Sequence, residues 1–233
     1  MEEQLIFIEG YTNRLVERGK CLQTIGLWNG KMGVAIYLLH FTRITKNRIY
    51  ENEAYELIDA VYKQIPFEKS VCFDNGLLGI GCGLQYLINN RFVEADSDEV
   101  LLELDDIAKN IIDIRSLDII NLEKGICGVG YYLYQRLKNR VNENDNMTVL
   151  KLKEYLIYLI DWIEDLVLQT SDKQDYNDVY FLLCRLNKLN IFDYKVKRLL
   201  ALSSRKIIDF NCRITDNYEL LGIPSLKVLK PWM

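Results

Sequence analysis

The chemistry open to this chain depends on a small group of reactive side chains, namely one histidine, His40, and six cysteines. A single imidazole excludes mechanisms that need several, and every Ser-His-Asp or Cys-His scheme has to use His40. His40 ends the apolar run 38–41, and nothing nearby in sequence supplies a carboxylate to orient it. The alternative is a histidine at the C-terminal end of a helix, where its charge favours the helix dipole.

The cysteines are widely spaced and form no C-x-x-C pair, a pattern typical of reduced thiols in the cytoplasm. Cys82 and Cys184 lie within apolar stretches and are predicted to be small core residues. The other four lie in connectors, where three thiolates could bind zinc in an atypical site. Free thiols are the alternative, favoured because the spacings of these four from the repeated glycines differ. The four are Cys21, Cys72, Cys127 and Cys212.

Composition narrows the class of protein. The chain has 233 residues, of which 49% are hydrophobic and 27% charged, and its net charge is -4. These values predict a single folded domain over residues 1–233 and exclude a general nucleic-acid-binding surface, which requires an excess of Lys and Arg. The acidic start, residues 1–4, lacks the features of a secretory signal, and no window reaches the roughly 18 apolar residues of a membrane span. The expected location is the cytoplasm, away from membranes.

The glycines mark an internal repeat. Three segments share the pattern G-x-x-G, followed by a β-branched residue and an apolar run that contains leucine. Their second glycines are separated by 46 and 49 residues, and a step of 94 beyond the third reaches Gly222. Halfway along that step, residues 175–183 are apolar and in phase but lack glycine. The predicted structural glycines are Gly30, Gly33, Gly76, Gly79, Gly125, Gly128 and Gly222.

Each repeat contains two predicted helices. The first is amphipathic, as where Val149, Leu152, Leu156 and Leu159 alternate steps of three and four with charged residues between them. The second follows the G-x-x-G and is apolar nearly all round, as a buried helix is. The sequence therefore predicts an all-α protein of about five helical hairpins, with outer amphipathic helices around inner apolar ones. A glycine in the first turn of a helix is costly unless another backbone comes close, so converging inner helices, in an α/α toroid (barrel) arc, are favoured over a flat solenoid.

The segment Gly26-Leu27-Trp28-Asn29-Gly30-Lys31-Met32-Gly33 resembles the inner-helix signature of the LanC-like (lanthionine synthetase C-like) family. The resemblance extends from about Gly26 to Leu226. It implies an α/α barrel of seven hairpins and an enzyme whose zinc activates a peptide cysteine thiolate for addition to a dehydrated residue, which makes a thioether ring. The family's zinc ligands lie in W-C-x-G and C-H-G motifs, one or two positions before the first glycine of a repeat.

The positions that match those ligands contain neither cysteine nor histidine. Residue by residue they are Trp28 and Asn29, Asp74 and Asn75, Glu123 and Lys124, and Asn217 and Tyr218. The resemblance therefore indicates a shortened and divergent member that lacks the zinc-ligand motifs, and no cofactor is expected.

The same positions form a predicted binding rim. Asn29 and Asn75 are placed to cap inner helices, and Asp74 and Glu123 are equivalent. Several helix N-termini at one opening, with free N–H groups and positive dipole ends, would favour a peptide or a small anion, with plain capping as the alternative. Trp28 is either an anchor for that ligand or part of the packing between repeats. A glycoside hydrolase that used Asp74 and Glu123 as paired carboxylates is a further alternative, but the loops contain no accompanying set of aromatic side chains to stack on a sugar. The rim candidates are Trp28, Asn29, Asp74, Asn75, Glu123 and Lys124.

Three functions fit these observations. The first is a zinc-free accessory protein or pseudoenzyme of thioether-type peptide modification that binds a peptide or a partner protein. The second is an active zinc-dependent cyclase with atypical cysteine ligands, and the third is a helical-repeat module for protein–protein interaction. With about two hairpins fewer than the family fold, the arc has an open edge. The sequence predicts either a homodimer across that edge or a C-terminal segment, ending at Trp232 and Met233, that folds back over it.

Overall fold

The computed structural model of the protein describes residues 2–169, 173–209, 221, 223 and 225–229. Within these residues all regular structure is helical, which confirms the predicted all-α class. The chain forms two compact units, one from residues 1–94 and 217–233 and the other from residues 95–216. The single domain over 1–233 and the toroid arc stay predictions.

Helices make up most of the described part of the chain. In chain order they are α1 (Glu2–Cys21), α2 (Lys31–Thr45), α3 (Arg48–Gln64), α4 (Leu77–Asn89), α5 (Ser97–Val100), α6 (Leu102–Asp113), α7 (Ile126–Leu137), α8 (Met147–Gln169), α9 (Lys173–Leu186), α10 (Asp193–Asp209) and α11 (Leu226–Leu229). Short 3₁₀ turns follow α3 at Ile65–Phe67 and α9 at Asn187–Leu189. None of the helices in the described part of the chain combines the length and apolar character that crossing a membrane requires.

In the first unit α2 is the central helix, packed against α1, α3, α4 and α11. Every residue of α2 from Met32 to Phe41 is buried, as its all-round apolar sequence predicts. The outer helix α3 is amphipathic instead. It buries Tyr50, Ala54 and Leu57 on one face, and the side chain of Asn47 caps it by accepting a hydrogen bond from the N–H of Ile49.

In the second unit α7 is the buried helix, and it packs against α8 and α9. The predicted apolar stripe of α8 is confirmed, since Val149, Leu152, Leu156 and Leu159 are all buried. The fourth repeat differs from the first three. Residues 175–183, which lack the G-x-x-G, lie inside α9.

Candidate functional site

A seven-residue turn of one shape precedes each of the inner helices α2, α4 and α7. These are turn 1 (24–30), turn 2 (70–76) and turn 3 (119–125). The last residue of each turn, Gly30, Gly76 or Gly125, is the N-cap of the helix and has an extended backbone. The carbonyl of the first residue accepts the hydrogen bond of the first helical N–H, over 3.0 Å for Thr24 and Lys31, 2.8 Å for Ser70 and Leu77, and 2.9 Å for Ile119 and Ile126. Each turn therefore caps its own helix with its own backbone.

This backbone cap corrects the predicted role of the rim asparagines. Neither Asn29 nor Asn75 caps a helix, because the N-caps are glycines and no side chain accepts a hydrogen bond there. In turns 1 and 3 the second helical N–H is also bonded, to the carbonyls of Ile25 and Ile120. The prediction of free N–H groups at these helix ends is therefore wrong for the first helical N–H of all three helices and for the second of α2 and α7.

The second glycine of the repeat is required by the same turn. A Cβ on Gly33 would lie 2.0 Å from the carbonyl oxygen of Leu27, and one on Gly79 would lie 1.9 Å from that of Phe73. A backbone does approach these glycines, as predicted. The prediction was wrong about its origin, since the approaching backbone is the glycine's own turn and not a neighbouring inner helix.

Turns 1 and 2 are hydrogen-bonded to each other. The N–H of Trp28 donates to the carbonyl oxygen of Asp74 over 2.9 Å, and the N–H of Asn29 donates to Oδ1 of Asn75 over 3.2 Å. A Cβ on Gly26 would lie 2.2 Å from Cα of Asn75, so the contact is backbone to backbone. The structure thus brings together four of the six rim candidates in the first unit.

The other two rim candidates lie in the second unit. Glu123 and Lys124 occupy the positions in turn 3 that Asp74 and Asn75 occupy in turn 2, and both are exposed. Their turn is stabilised internally, since the N–H of Lys124 donates to Oδ1 of Asn121 over 2.9 Å.

Trp28 packs between repeats. Its Nε1–H donates to the carbonyl oxygen of Leu221 over 2.9 Å, and its ring meets that of Phe73 edge to face with the centroids 5.8 Å apart. Leu221, Ile223, Leu226 and Leu229 are buried, and α11 lies against α2. Residues of the C-terminal segment therefore cover the first repeat, while Gly222 and Trp232, like Cys212, Asn217 and Tyr218, lie outside the described residues.

Comparison with protein families places these turns in a known context. The family model of the lanthionine synthetase C-like proteins matches residues 23–182. Because the match covers more than half of the chain, the protein belongs to the lanthionine synthetase C-like family. A comparison with curated proteins gives no match.

The side chains at the family's ligand positions do not fit zinc. Of the described ones only Asp74 and Glu123 are of a ligand type, and they lie in different units. The Asp74 carboxylate is engaged within its own turn, where Oδ1 accepts from the N–H of Asn75 over 2.8 Å and Oδ2 from its side-chain amide over 3.1 Å. Across the described ranges no three residues among His, Cys, Asp and Glu are grouped so that they could hold a metal ion.

The cysteines occupy dissimilar environments. Cys127 is the second residue of α7 and is buried, so its predicted place in a connector is wrong. Cys21 ends α1 and is exposed, and Cys72 lies half-buried in turn 2. Cys82 is a buried core residue, as predicted, whereas Cys184 is half-buried and hydrogen-bonds Tyr180.

His40 lies within α2, which continues to Thr45, so the predicted helix end at this histidine is wrong. Its Nε2 lies 2.8 Å from the hydroxyl oxygen of Tyr86, and its ring meets that of Phe92 edge to face at 4.9 Å between centroids. Burial, with a smaller contribution from the positive charge of Arg43, lowers the pKa of His40 to about 4. A neutral imidazole on this aromatic cluster, bonded to a tyrosine and not to a carboxylate, has the character of a core residue.

Sequence reasoning missed a buried ion network in the second unit. The side chain of Arg136, fully buried on α7, donates to both carboxylate oxygens of Asp105 and to Asp98. Arg140 adds two hydrogen bonds to Asp98, and the hydroxyl of Tyr132 donates to Asp105 over 2.6 Å. Both arginines hold the pKa of Asp98 well below its usual range, Arg140 with the larger effect. An arginine inside an apolar helix was the one sequence signal of this network, which joins α7 to α5 and α6.

Proposed function

We propose that the protein is a zinc-free accessory protein or pseudoenzyme of thioether-type peptide modification, and that it binds a peptide or a partner protein at the rim of turns 1 and 2. One observation carries the proposal. Turns 1 and 2 lie within the region that matches the family, yet at the positions before their N-cap glycines Trp28, Asn29 and Asn75 cannot supply a zinc thiolate or imidazole, and the Asp74 carboxylate is engaged by Asn75.

The rim retains groups suited to a peptide. The side-chain amide of Asn29 is exposed and makes no hydrogen bond to any described residue. A primary amide offers two donors and an acceptor, which is the complement of a peptide bond. Because the backbone N–H of Asn29 donates a hydrogen bond to Asn75, the backbone that carries this side-chain amide is held in place.

A second candidate, the helical-repeat interaction module, is favoured by the outer surface near the end of α3. Tyr62 and Phe67 are 76% and 80% exposed, and they lie in the last turns of α3 and in the 3₁₀ turn that follows it. A partner that buries these rings would not need the rim at all. The active cyclase with atypical cysteine ligands is the third reading, and it requires zinc.

The test combines metal analysis, a cyclisation assay and a binding measurement on the purified full chain. A model peptide with one cysteine and one dehydroalanine serves as the probe, and loss of its free thiol reports ring closure. We expect substoichiometric zinc after equilibration with a zinc salt, no ring closure above the rate in buffer, and saturable binding of the peptide by calorimetry. Stoichiometric zinc with chelator-sensitive ring closure would overturn the zinc-free assignment in favour of the atypical cyclase.

A matched pair of variants locates the binding. Asn29→Ala removes the exposed amide at the rim, whereas Asn142→Ala removes another exposed asparagine from the second unit. We expect only the rim variant to weaken binding of the probe. If the wild-type chain does not bind the probe, or if both variants bind it as well as wild type, binding of a thioether-precursor peptide at the rim is wrong and the interaction module remains.

A further inference from the structure

A small groove opens beside turn 1 in the first unit. Its cavity of about 100 Å³ lies between α1, turn 1 and the segment at Ser225. Leu15, Leu22 and Val34 contribute apolar surface, and Trp28 is part of the wall. A water molecule takes about 30 Å³ of the liquid, so the cavity has room for a few waters or for one aliphatic side chain.

Two polar side chains line the same groove. Arg18 projects from α1, is exposed, and forms no ion pair with any residue that the structure describes. The exposed amide of Asn29 is the other. A guanidinium binds a carboxylate through two parallel hydrogen bonds, and its charge makes an acidic partner the complementary one.

The apolar cavity, the Arg18 guanidinium and the Asn29 amide together indicate which kind of ligand fits the groove. A free small carboxylate would satisfy Arg18 but would leave the half-buried apolar surface of Leu15 and Leu22 uncovered. An aliphatic ligand alone would leave the guanidinium and the amide of Asn29 without partners. A peptide satisfies all three, because its backbone meets the amide while adjacent side chains meet the cavity and the charge.

We infer that this groove, which we call the Arg18 groove, is the docking site for a linear segment of a partner peptide in which an aliphatic residue lies next to Asp or Glu. The inference rests on the proposed function, whose rim it extends, and it names the sequence chemistry of the peptide. The aliphatic side chain enters the cavity, the acidic side chain pairs with Arg18, and the peptide backbone hydrogen-bonds the Asn29 amide.

The test uses three short fluorescein-labelled peptides of glycine and serine with different central pairs. The first has Leu-Glu, the second replaces the leucine with serine, and the third replaces the glutamate with lysine. Fluorescence anisotropy at low ionic strength should show binding of the Leu-Glu peptide, with affinities for the other two lower by about tenfold or more. Equal binding of all three, or of none, would overturn the inference.

Charge reversal at two arginines supplies the matched variants. Arg18→Glu should weaken the Leu-Glu peptide by about tenfold or more and improve binding of the Leu-Lys peptide. Arg48→Glu makes the same change at an exposed arginine of α3, outside the groove, and should alter either affinity by less than about twofold. Unchanged circular dichroism would show that both variants are folded. Equal losses in Arg48→Glu and Arg18→Glu would mean that general charge, and not the groove, attracts the peptide.

The cysteine- and dehydroalanine-containing probe separates this inference from the proposed function. If that longer peptide binds wild type and Arg18→Glu equally, the proposed function stands and the assignment of the Arg18 groove fails. If it binds neither while the Leu-Glu peptide still depends on Arg18, the groove is a docking site and the role in thioether-type modification fails.

Discussion

The backbone N–H of Leu122 donates a hydrogen bond to Oδ2 of Asp178 over 2.8 Å, and both residues are buried. Leu122 lies three positions before the N-cap of its helix, as Leu27 does in turn 1. There the N–H of Leu27 donates to the backbone carbonyl of Asp74 in turn 2, over 3.1 Å. In the second unit a side-chain carboxylate on α9 therefore supplies the acceptor that a turn carbonyl supplies in the first unit.

Removal of that acceptor should destabilise the protein. Asp178→Ala leaves the N–H of Leu122 buried without this partner, so we expect the free energy of unfolding to fall by about 1–3 kcal/mol. Asp178→Asn keeps an oxygen acceptor and should lose less. Urea unfolding measures both, with the exposed Asp118→Ala as a control expected to stay within about 0.5 kcal/mol of wild type. Wild-type stability in Asp178→Ala would contradict the assigned role.

The repeat glycines should not tolerate a methyl group. Gly79→Ala places Cβ against the carbonyl of Phe73, a backbone atom that cannot rotate away, so we expect a loss of about 3 kcal/mol or more. Gly10→Ala is the matched control, because Gly10 lies in α1 with nothing within 4 Å of the added Cβ. There the better helix propensity of alanine should stabilise the chain by up to about 1 kcal/mol. Denaturant unfolding that gives both substitutions the same sign would refute this explanation of the repeat.

The indole of Trp28 should hold the C-terminal segment in place. Trp28→Phe keeps an aromatic ring near Phe73 but removes the N–H that donates a hydrogen bond to the carbonyl oxygen of Leu221. We expect the free energy of unfolding to fall by about 1 kcal/mol. Hydrogen exchange read by mass spectrometry should then become faster in peptides that cover residues 221–229. Trp162→Phe alters a buried tryptophan of the second unit and should leave exchange in those peptides unchanged. Unaltered exchange in Trp28→Phe would show that the segment is held by other contacts.

His40 should make stability depend on pH on the acidic side of neutrality. Its pKa in the folded chain is about 4, below the value of about 6.5 of an exposed imidazole, so the unfolded chain binds the proton first as the pH falls. The contribution of His40 to the free energy of unfolding is therefore fully present above about pH 6.5. It declines between about pH 6.5 and 4, by about 3 kcal/mol in total.

Two variants isolate this contribution. His40→Gln introduces the residue that Gln135 supplies at the same position of the third repeat, and it should remove the part of the pH dependence that belongs to the imidazole. Tyr86→Phe removes the hydrogen-bond partner but leaves the histidine buried, so the decline should persist. Because the chain has a single histidine, its imidazole signal in NMR titrates without overlap, and a midpoint near 6.5 would contradict the prediction.

The helical architecture could be predicted because its signals are local. The G-x-x-G spacing placed the starts of α2, α4 and α7, since an extended glycine is the N-cap in each case. The apolar stripe of α8 was equally readable, because steps of three and four residues define one helical face. Both signals lie within a single element and need no knowledge of its neighbours.

The geometry of the site depended on contacts that a local pattern does not contain. Asparagine is a good N-cap residue, so the sequence predicts a cap at Asn75, but the carbonyl seven residues before the first helical N–H fills that role. The pairing of Arg136 with Asp105 joins residues 31 positions apart on two helices. Neither the hydrogen bond that closes the turn nor the Arg136–Asp105 pair follows a periodic sequence pattern, so neither could be predicted from the sequence.

The backbone cap of the repeat turns has a consequence for how freely the sequence can vary. Each turn satisfies the first N–H of its helix from within seven residues, so the fold does not require a capping side chain at the two positions before the N-cap glycine. In turn 3 those positions hold an exposed acid and an exposed base, Glu123 and Lys124, on the same backbone path. Substitutions at these two positions can therefore change the charge and hydrogen-bonding groups at the turn surface without removing the backbone cap of the helix.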